Sequence, residues 1–414
     1  MLCVHLGPGR LGLGLVVDQL DQVGFSVCLV GRPDVAPEES ERQQFGLASA
    51  DPEVGLEYRE VAWSSNAGSV AELPAAVLDL LSARDPVLIT CSLGDSIAER
   101  VEFIAELLDR RADGAETVLL ACENDPDRGY EQIERLCGDA LSVCPCVVDR
   151  ICATPMAHSI DQLGRDRLTP RPRDDAGRRV VAIHPVGEWV VSAPGIEAAT
   201  LTRLSGAPLV RLVDGPIDAY KARKRWLVGG VHLVLALVAR RESADFLPLD
   251  RLHEIAFVEL AGPLMSQMSS ALGSAWPDVP LDRDYAEQRI RAFTETPDTT
   301  ARVIGGRLIR SDLRPLLKRV NVRIGDAARA AREAGEDCEP FYDAMSLLVS
   351  VLADHTRYYD EGAPELDPIV DKEALEIFRS VLADWLDHRR ASDLLETLER
   401  ALRVHYAVFS DAQA

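Results

Sequence analysis

The first thirty residues carry the pattern that most restricts the fold of this chain. Residues 2–6 form a short apolar run, and Gly7, Gly9 and Gly12 follow it in GxGxxG spacing. The next segment, LGLGLVVDQLDQVG, has apolar residues at helical spacing, and a second apolar run, FSVCLV, occupies 25–30. A strand, a glycine-rich turn, a helix and a second strand within about thirty residues are typical of the start of a parallel α/β sheet.

The same glycines predict a nucleotide site. Gly7 would allow the tight turn, Gly9 would let the backbone approach a pyrophosphate, and Gly12 would let the helix pack closely on the strand. The pyrophosphate would bind the backbone amides at the start of the helix, which include those of Arg10 and Leu11. The alternative is a glycine-rich turn that binds no ligand.

The end of the second strand bears on the choice of dinucleotide. An Asp or Glu that would grip a ribose 2′-hydroxyl is missing there, and the chain reads Gly31, Arg32, Pro33, Asp34. Arg32 could instead hold the 2′-phosphate of NADP, although Asp34 could still reach a ribose. The expected cofactor is therefore NAD or NADP, with NADP favoured by Arg32. The alternative is that Arg32 is a solvated loop residue.

Composition excludes several classes of function. The net charge of −22 and the pI of about 4.8 argue against binding to nucleic acid or to anionic membranes. The longest apolar segment, 226–239, is too short to span a bilayer. No charged leader precedes the first apolar run, so we expect a cytoplasmic protein. The nine cysteines include no CxxC pair, and we expect buried free thiols and no metal site.

The order of apolar runs predicts an α/β protein of two domains. Short apolar runs alternate with helical patterns in the first half, which favours a Rossmann-type, doubly wound parallel sheet over 1–196. The remainder, 197–414, is mostly helical in pattern and is expected to be a substrate and catalytic domain. The predicted strands beyond the first two are 86–94, 117–124 and 180–191, the predicted helices between strands are 101–111 and 130–141, and 164–179 is predicted to be a loop.

Polar residues near predicted strand ends are candidates for the site. Asn124 and Asp149 follow apolar runs at positions where parallel sheets bind ligands, beyond the carboxyl ends of their strands. A second candidate is an arginine-rich segment, 302–323, in which Arg302, Arg307 and Arg310 could hold an anionic substrate or part of a cofactor phosphate. The alternative for that segment is a basic helix face that pairs with acidic neighbours.

Lysine is rare in this chain, which draws attention to Lys224. Four lysines stand against 41 arginines. Lys224 lies beside one of the most apolar segments, eight residues before His232, in YKARKRWLVGGVHLVLALVA. A partly buried lysine can lose its proton at workable pH whereas arginine cannot, so Lys224 is a candidate base. The alternative is a surface lysine before a core helix that contains a core histidine.

Seven segments, in this order along the chain, resemble the polyol-specific long-chain dehydrogenases. They are GPGRLGLG, ITCSLGDSIAERV, ACEND, VVDRICATP, HPVGEWVV, KRWLVGGVH and RYYDEGAPELDP. The resemblance implies metal-independent hydride transfer between a nicotinamide and a secondary alcohol of a polyol, polyol phosphate or related sugar acid. It implies that Lys224 is the acid/base, that Asn124 and His232 orient the reacting oxygen, and that Asp149 belongs to the cofactor site. It also implies a monomer or a small homo-oligomer.

One departure from the family is chemically important. The family has an asparagine five residues after the catalytic lysine, and this chain has Gly229. Loss of one hydrogen-bond donor to the reacting oxygen commonly costs about a hundredfold in rate. The pair Gly229–Gly230 also suggests that a bulkier group comes close. Two alternatives stay open: a divergent member that acts on another hydroxylated metabolite, and a catalytically impaired nucleotide-binding protein.

Overall fold

A computed structural model describes most of the chain, which divides into two compact units. The described residues are 1–31, 40–49, 55–112, 114–122, 130, 133–135, 137–138, 141–160, 166–170, 172–241, 260–279, 284–289, 319–353, 376 and 392–397. The first unit is Met1–Asp218 and the second is Ala219–Ala414. The sequence places the boundary earlier, after residue 196, and the reason for the difference is a further strand described below.

The first unit contains the strands of the described chain. They are β1 (Leu2–Leu6), β2 (Ser26–Val30), β3 (Ser40–Ser49), β4 (Leu56–Ser65), β5 (Val87–Cys91), β6 (Thr117–Ala121), β7 (Ser142–Ala153), β8 (Met156–Ile160), β9 (Asp166–Pro170), β10 (Val180–Ser192) and β11 (Val210–Val213). Its helices are α1 (Asp18–Gln22), α2 (Ala75–Ser82), α3 (Val101–Asp109) and α4 (Ala198–Leu204). A π-helical segment, Gly12–Val17, leads directly into α1.

Six strands form a parallel sheet in the order β4-β2-β1-β5-β6-β7. In this order β1 is central, and the chain adds strands first on one side of it and then on the other. Doubly wound dinucleotide-binding sheets have the same change of side at their first strand. The predicted α/β class with a parallel sheet is confirmed.

The predicted doubly wound parallel sheet differs from the structure in one respect, because long strands close the sheet into a ring. β3 pairs antiparallel with β4, and β10 pairs parallel with β3. β10 also pairs antiparallel with β7, from Ala182↔Ala153 to Val191↔Cys146. β7 can reach β10 because it runs well beyond Pro145, the last residue of β7 that pairs with β6.

Both faces of the parallel sheet are buried, which explains its continuous apolar strands. All five residues of β1 are buried. Cys3 belongs to a core with the π-helical segment, β7 and β10, whereas Leu2 and Val4 belong to a core with α2 and α3. Strands covered on both faces favour uninterrupted apolar sequence over alternation.

The first helix lies inside the ring of strands. Every residue of the π-helical segment is buried, and so are Asp18, Gln19 and Leu20 of α1. A Cβ on Gly14 would lie 2.7 Å from Cys152 Sγ on β7 and 3.0 Å from Ile183 Cγ2 on β10. The helix therefore packs against β1 at the centre of the sheet and against the far end of β7 together with β10.

Other differences from the sequence prediction are local. Part of the predicted loop 164–179 is strand, because β9 pairs antiparallel with β8. β11 pairs with β10 and extends the sheet, so α4 and β11 belong to the first unit although they follow residue 196. The predicted strands at 86–94, 117–124 and 180–191 are confirmed to within a few residues.

The described part of the second unit is helical. Its helices are α5 (Asp218–Arg223), which begins at the unit boundary, α6 (Val231–Arg241), α7 (Gly262–Ala275), α8 (Asp326–Glu333) and α9 (Glu339–Ala353). Two π-helical segments precede α6 and α8, Lys224–Gly230 and Asn321–Gly325. These helices share one apolar core. Across the described chain, no helix has the length and hydropathy needed to cross a membrane.

Candidate functional site

A cavity of about 390 Å³ opens at the glycine-rich turn of the first unit. Its lining includes residues that directly follow strands, namely Gly7 after β1, Gly31 after β2 and Ser92 after β5. The carboxyl edge of a parallel sheet is where α/β proteins bind ligands, and the volume lies in the range of about 300–1,000 Å³ of small-molecule sites.

Gly7 makes the sharp turn that ends β1. Its φ is 104°, a conformation that favours glycine, and its backbone N–H donates to the Val30 carbonyl at 3.0 Å. A Cβ at this position would lie 2.5 Å from the Ser92 carbonyl oxygen. The turn predicted at Gly7 is thus present, and it joins the ends of β1, β2 and β5.

Gly9 and Gly12 have opposite surroundings. A Cβ on Gly12 would lie 2.4 Å from His5 Nε2 and 2.6 Å from the Gly7 carbonyl oxygen, so Gly12 is required for the close packing of helix on strand. A Cβ on Gly9 would meet the Ser92 oxygen only at 4.0 Å, within the described residues. Gly9 also lines the cavity. Glycine at this position leaves room beside the backbone, which fits the close approach of a pyrophosphate.

His5 supports the glycine-rich turn, a role that no sequence pattern indicates. It is fully buried on β1, and its Nδ1 lies 2.7 Å from the Thr90 hydroxyl while its Nε2 lies 3.0 Å from the Gly7 carbonyl oxygen. Because a carbonyl only accepts, Nε2–H donates to Gly7 and Nδ1 accepts from Thr90. Burial lowers the pKa of His5 to about 4, so the ring is neutral near pH 7. His5 therefore fixes the Gly7 carbonyl beneath the glycine-rich turn.

Two arginines at the cavity were also not predicted from sequence. Arg173 and Arg179 line it, and Arg179 Nη1 donates to the Pro8 carbonyl at 2.5 Å. Their positive charge lies at the same cavity as the glycine-rich turn. In the sequence they lie in the polar segment 164–179, whose composition predicts a loop.

The other predicted cofactor residues fall in different places. Arg10 Nη1 donates to Thr154 Oγ1 at 3.4 Å, and Leu11 directly precedes the π-helical segment. Asp149 is buried within β7, opposite Glu188 of β10, and the strand continues to Ala153, so the expectation that it lies at a strand end is wrong. Asp149 is not among the described residues that line the cavity.

Lys224 and His232 belong to the second unit. Lys224 begins the π-helical segment and His232 is the second residue of α6. On a straight α-helix, positions eight apart would point about 80° apart. The wider i→i+5 turns between them change this offset, and π-helical turns are frequent at functional sites. Burial, with a contribution from Arg323, lowers the pKa of His232 to about 3, so its imidazole is neutral near pH 7.

Gly229 lies against an arginine, in agreement with the bulkier neighbour that the double glycine suggested. Arg323 Nη1 donates to the Gly229 carbonyl at 3.3 Å. Burial and the nearby Arg319 and Arg225 lower the pKa of Arg323 to about 10, which leaves it protonated near pH 7. A cationic donor therefore lies beside the position at which the family has an asparagine.

Several predicted residues lie outside the described residues. They are Arg32 of the cofactor prediction, Asn124 of the catalytic prediction, and Arg302, Arg307 and Arg310 of the substrate prediction. All nine cysteines are free thiols, and six of them are buried. The described residues contain no group of three or more His, Cys, Asp or Glu side chains placed to hold a metal ion.

Comparison with known proteins finds a relative that is similar along almost the whole chain. No protein-family profile matches it. The mannitol-1-phosphate 5-dehydrogenase of Lactiplantibacillus plantarum is 22% identical over 414 residues, which cover 98% of this chain and 99% of that protein.

Two solved structures share the fold. Pseudomonas fluorescens mannitol 2-dehydrogenase, solved as a ternary complex with NAD and D-mannitol, is 15% identical with a TM-score of 0.55, over 96% of this chain and 90% of that one. A substrate-free D-sorbitol dehydrogenase is 15% identical with a TM-score of 0.56, over 96% and 91% of the two chains. At this identity the two structures support the fold alone. Over almost its whole length, this chain is therefore similar to a mannitol-1-phosphate 5-dehydrogenase.

Proposed function

We propose that this protein is an NAD(P)-dependent dehydrogenase that interconverts a secondary alcohol and a ketone in a polyol, polyol phosphate or related sugar acid. The observation that carries the proposal is the cavity at the glycine-rich turn, where Gly9 leaves room for a pyrophosphate. It occurs in a chain that is similar from end to end to a mannitol-1-phosphate 5-dehydrogenase. When bound, the nicotinamide supplies the acceptor or donor of the hydride.

The first unit would bind and orient the dinucleotide. Backbone amides after Gly9, including those of Arg10 and Leu11, would hold the pyrophosphate at the start of the π-helical segment. His5 keeps the turn in place through the Gly7 carbonyl. Asp149 remains a proposed member of the cofactor site through the family resemblance alone.

Lys224 would move the proton of the reacting hydroxyl. In oxidation its neutral amine takes that proton, and in reduction its ammonium returns it, without a metal. His232 would hydrogen-bond the reacting oxygen and orient it, as would Asn124. The neutral imidazole of His232 suits this role because it can donate or accept without competing for the proton that Lys224 moves.

We propose NADP as the preferred dinucleotide. Arg32 follows the end of β2, where the acidic residue typical of NAD sites is missing. Arg173 and Arg179 add positive charge at the cavity that includes Gly31. The ratio of kcat/KM for NADP to that for NAD tests this preference, and a ratio below one would refute it.

An anionic substituent on the substrate is proposed to bind Arg302, Arg307 and Arg310. Guanidinium groups pair with phosphate and carboxylate through two parallel hydrogen bonds. Inorganic phosphate should then compete with the substrate and raise its KM. An unchanged KM in the presence of phosphate would remove this part of the proposal.

The decisive experiment is a screen of polyols, sugar phosphates and keto sugars, read by the fluorescence of NADPH and NADH, followed by Lys224→Ala on the active substrate. The variant should lose at least about a thousandfold in kcat, since it lacks the acid/base, and should bind the dinucleotide as the wild type does. Lys221→Ala, one helical turn earlier, is the matched control and should retain activity.

The screen also separates the proposed function from its alternatives. Turnover of a hydroxylated compound outside the polyols would identify a divergent dehydrogenase, the alternative that Gly229 favours. Dinucleotide binding without any turnover, in the wild type and in Lys224→Ala alike, would identify a nucleotide-binding protein that is not an active dehydrogenase.

A further inference from the structure

The pair Gly229–Gly230 marks a place where two π-helical segments of the second unit pack closely. A Cβ on Gly229 would lie 3.2 Å from both Cδ and Nε of Arg323. A Cβ on Gly230 would lie 2.8 Å from Met268 Cε and 3.1 Å from the Arg323 carbonyl oxygen. The side chain of Arg323 thus occupies the space that a side chain at 229 would need, and its backbone lies close to position 230.

Arg323 brings hydrogen-bond donors and a fixed charge to this place. A guanidinium has five N–H donors in a rigid plane and no acceptor, and the bond to the Gly229 carbonyl uses one of them. Its lowered pKa of about 10 still leaves it cationic near pH 7, and its charge is felt at His232, whose pKa it helps to lower. Arg323 is therefore a charged donor that lies in the segment Asn321–Gly325 and contacts the segment that begins at Lys224.

We infer that Arg323 donates a hydrogen bond to the reacting oxygen of the substrate and so replaces the asparagine that Gly229 removed. The inference rests on the proposed function. In oxidation, the O–H bond breaks and its proton goes to the Lys224 amine. The C–H bond breaks and its electron pair leaves as hydride to the oxidised nicotinamide, and the C=O bond forms.

The benefit of a guanidinium in this role follows from where charge develops. Negative charge grows on the oxygen as its proton leaves, and a cationic donor stabilises it more than a neutral amide does. Arg323 reaches Gly229 from 94 positions further along the chain. Replacement of the asparagine by Arg323 would keep a hydrogen-bond donor near the oxygen. The donor would come from Asn321–Gly325 and no longer from the segment that begins at Lys224.

A double-mutant cycle between positions 323 and 229 tests the inference. Arg323→Leu should lower kcat by about a hundredfold or more, with little change in KM or in dinucleotide affinity. Gly229→Asn alone should lower the Tm, because its side chain meets Arg323 at 3.2 Å. The double variant Gly229→Asn/Arg323→Leu should regain the lost Tm and recover at least about tenfold of the lost kcat, because it restores one donor to the reacting oxygen.

Control and contrary results are distinct. Arg329→Leu removes a guanidinium that contacts Asn321 and Asp326 in the same unit, and it should leave kcat unchanged. Wild-type kcat in Arg323→Leu would overturn the inference. So would a change confined to the KM of phosphorylated substrates, which would make Arg323 a phosphate ligand instead.

A second variant keeps the test decisive if Arg323→Leu does not fold. Arg323→Gln retains an amide donor but no charge, and its kcat should fall by at least about tenfold, since charged donors are the stronger ones. Wild-type kcat in that variant would also overturn the inference. If the wild-type protein turns over nothing in the screen, the proposed function itself fails, and the inference fails with it. If the wild type is active and the Arg323 variants keep wild-type kcat, the inference fails and the proposed function stands.

Discussion

Gly9 and Gly12 allow the two roles of a glycine-rich turn, packing and ligand binding, to be tested separately. A methyl group at Gly9 has room in the protein but projects beside the cavity, so Gly9→Ala should keep the wild-type Tm and raise the dinucleotide Kd at least about tenfold. A methyl group at Gly12 meets His5 and Gly7, so Gly12→Ala should lose about 1–3 kcal/mol of stability through overpacking. Thermal unfolding and NADPH fluorescence titration measure both quantities.

Equal dinucleotide affinity in Gly9→Ala and the wild type would contradict the proposed dinucleotide site, whatever the effect at Gly12.

The roles of the glycines can be predicted from their spacing in the sequence because those roles depend on local backbone geometry. His5 could not be assigned, because its partner Thr90 is 85 positions away, and neither could Arg323, whose proximity to Gly229 depends on the packing of distant segments. Residues whose roles depend on distant neighbours leave no spacing signal.

The first helix is fixed inside the ring of strands by one buried arginine. Arg150 on β7 donates to the Gly14 carbonyl at 2.6 Å, to the His184 carbonyl at 2.8 Å and to Asp18 Oδ2 at 2.7 Å. Arg59 on β4 donates to the same carboxylate, and these two cations hold the pKa of Asp18 below its usual value in spite of its burial. Arg150→Leu should therefore cost about 3–5 kcal/mol, since it leaves a buried carboxylate short of a partner.

Denaturant unfolding of Arg150→Leu is best compared with Arg178→Leu. Arg178 also binds a carboxylate, that of Asp174 at 2.8 Å, but its side chain is 36% exposed. Exposed pairs contribute about 0–1 kcal/mol, so the control should change stability little. Similar losses in the two variants would show that Arg150 does not fix the helix.

At the level of elements, sequence predicted the parallel strands and missed the closure of the sheet. Apolar runs such as β5 and β6 are recognisable because both of their faces are buried. The closure depends on which partners β10 finds along its 13 residues, and apolar content does not specify partners. The polar β9 was hidden for another reason, since its pairing with β8 is made by the backbone and needs no apolar run.

At the scale of the whole molecule, the two units have separate apolar cores. The last buried residue in the cores of the first unit is Leu204, and the first buried residue in the core of the second unit is Ala222. The predicted domain boundary came before α4 because the helical pattern begins there. The structure includes α4 and β11 in the first unit because Leu204 is buried in its core and β11 pairs with Trp189–Ser192 of β10.

This arrangement predicts that residues 1–218 fold and bind the dinucleotide without the second unit, whereas residues 1–196 do so poorly. The longer fragment retains the whole lining of the cavity and the bond from Thr200 Oγ1 to Glu116 Oε2 at 2.7 Å. The shorter one exposes the edge of β10 that β11 covers and the apolar surface that Leu204 covers.

Circular dichroism melting and NADPH titration of both fragments provide the comparison. The longer fragment should unfold cooperatively, with a Kd within about threefold of that of the full chain, because the units do not share a core. Equal Tm values for the two fragments would show that α4 and β11 are not part of the first cooperative unit.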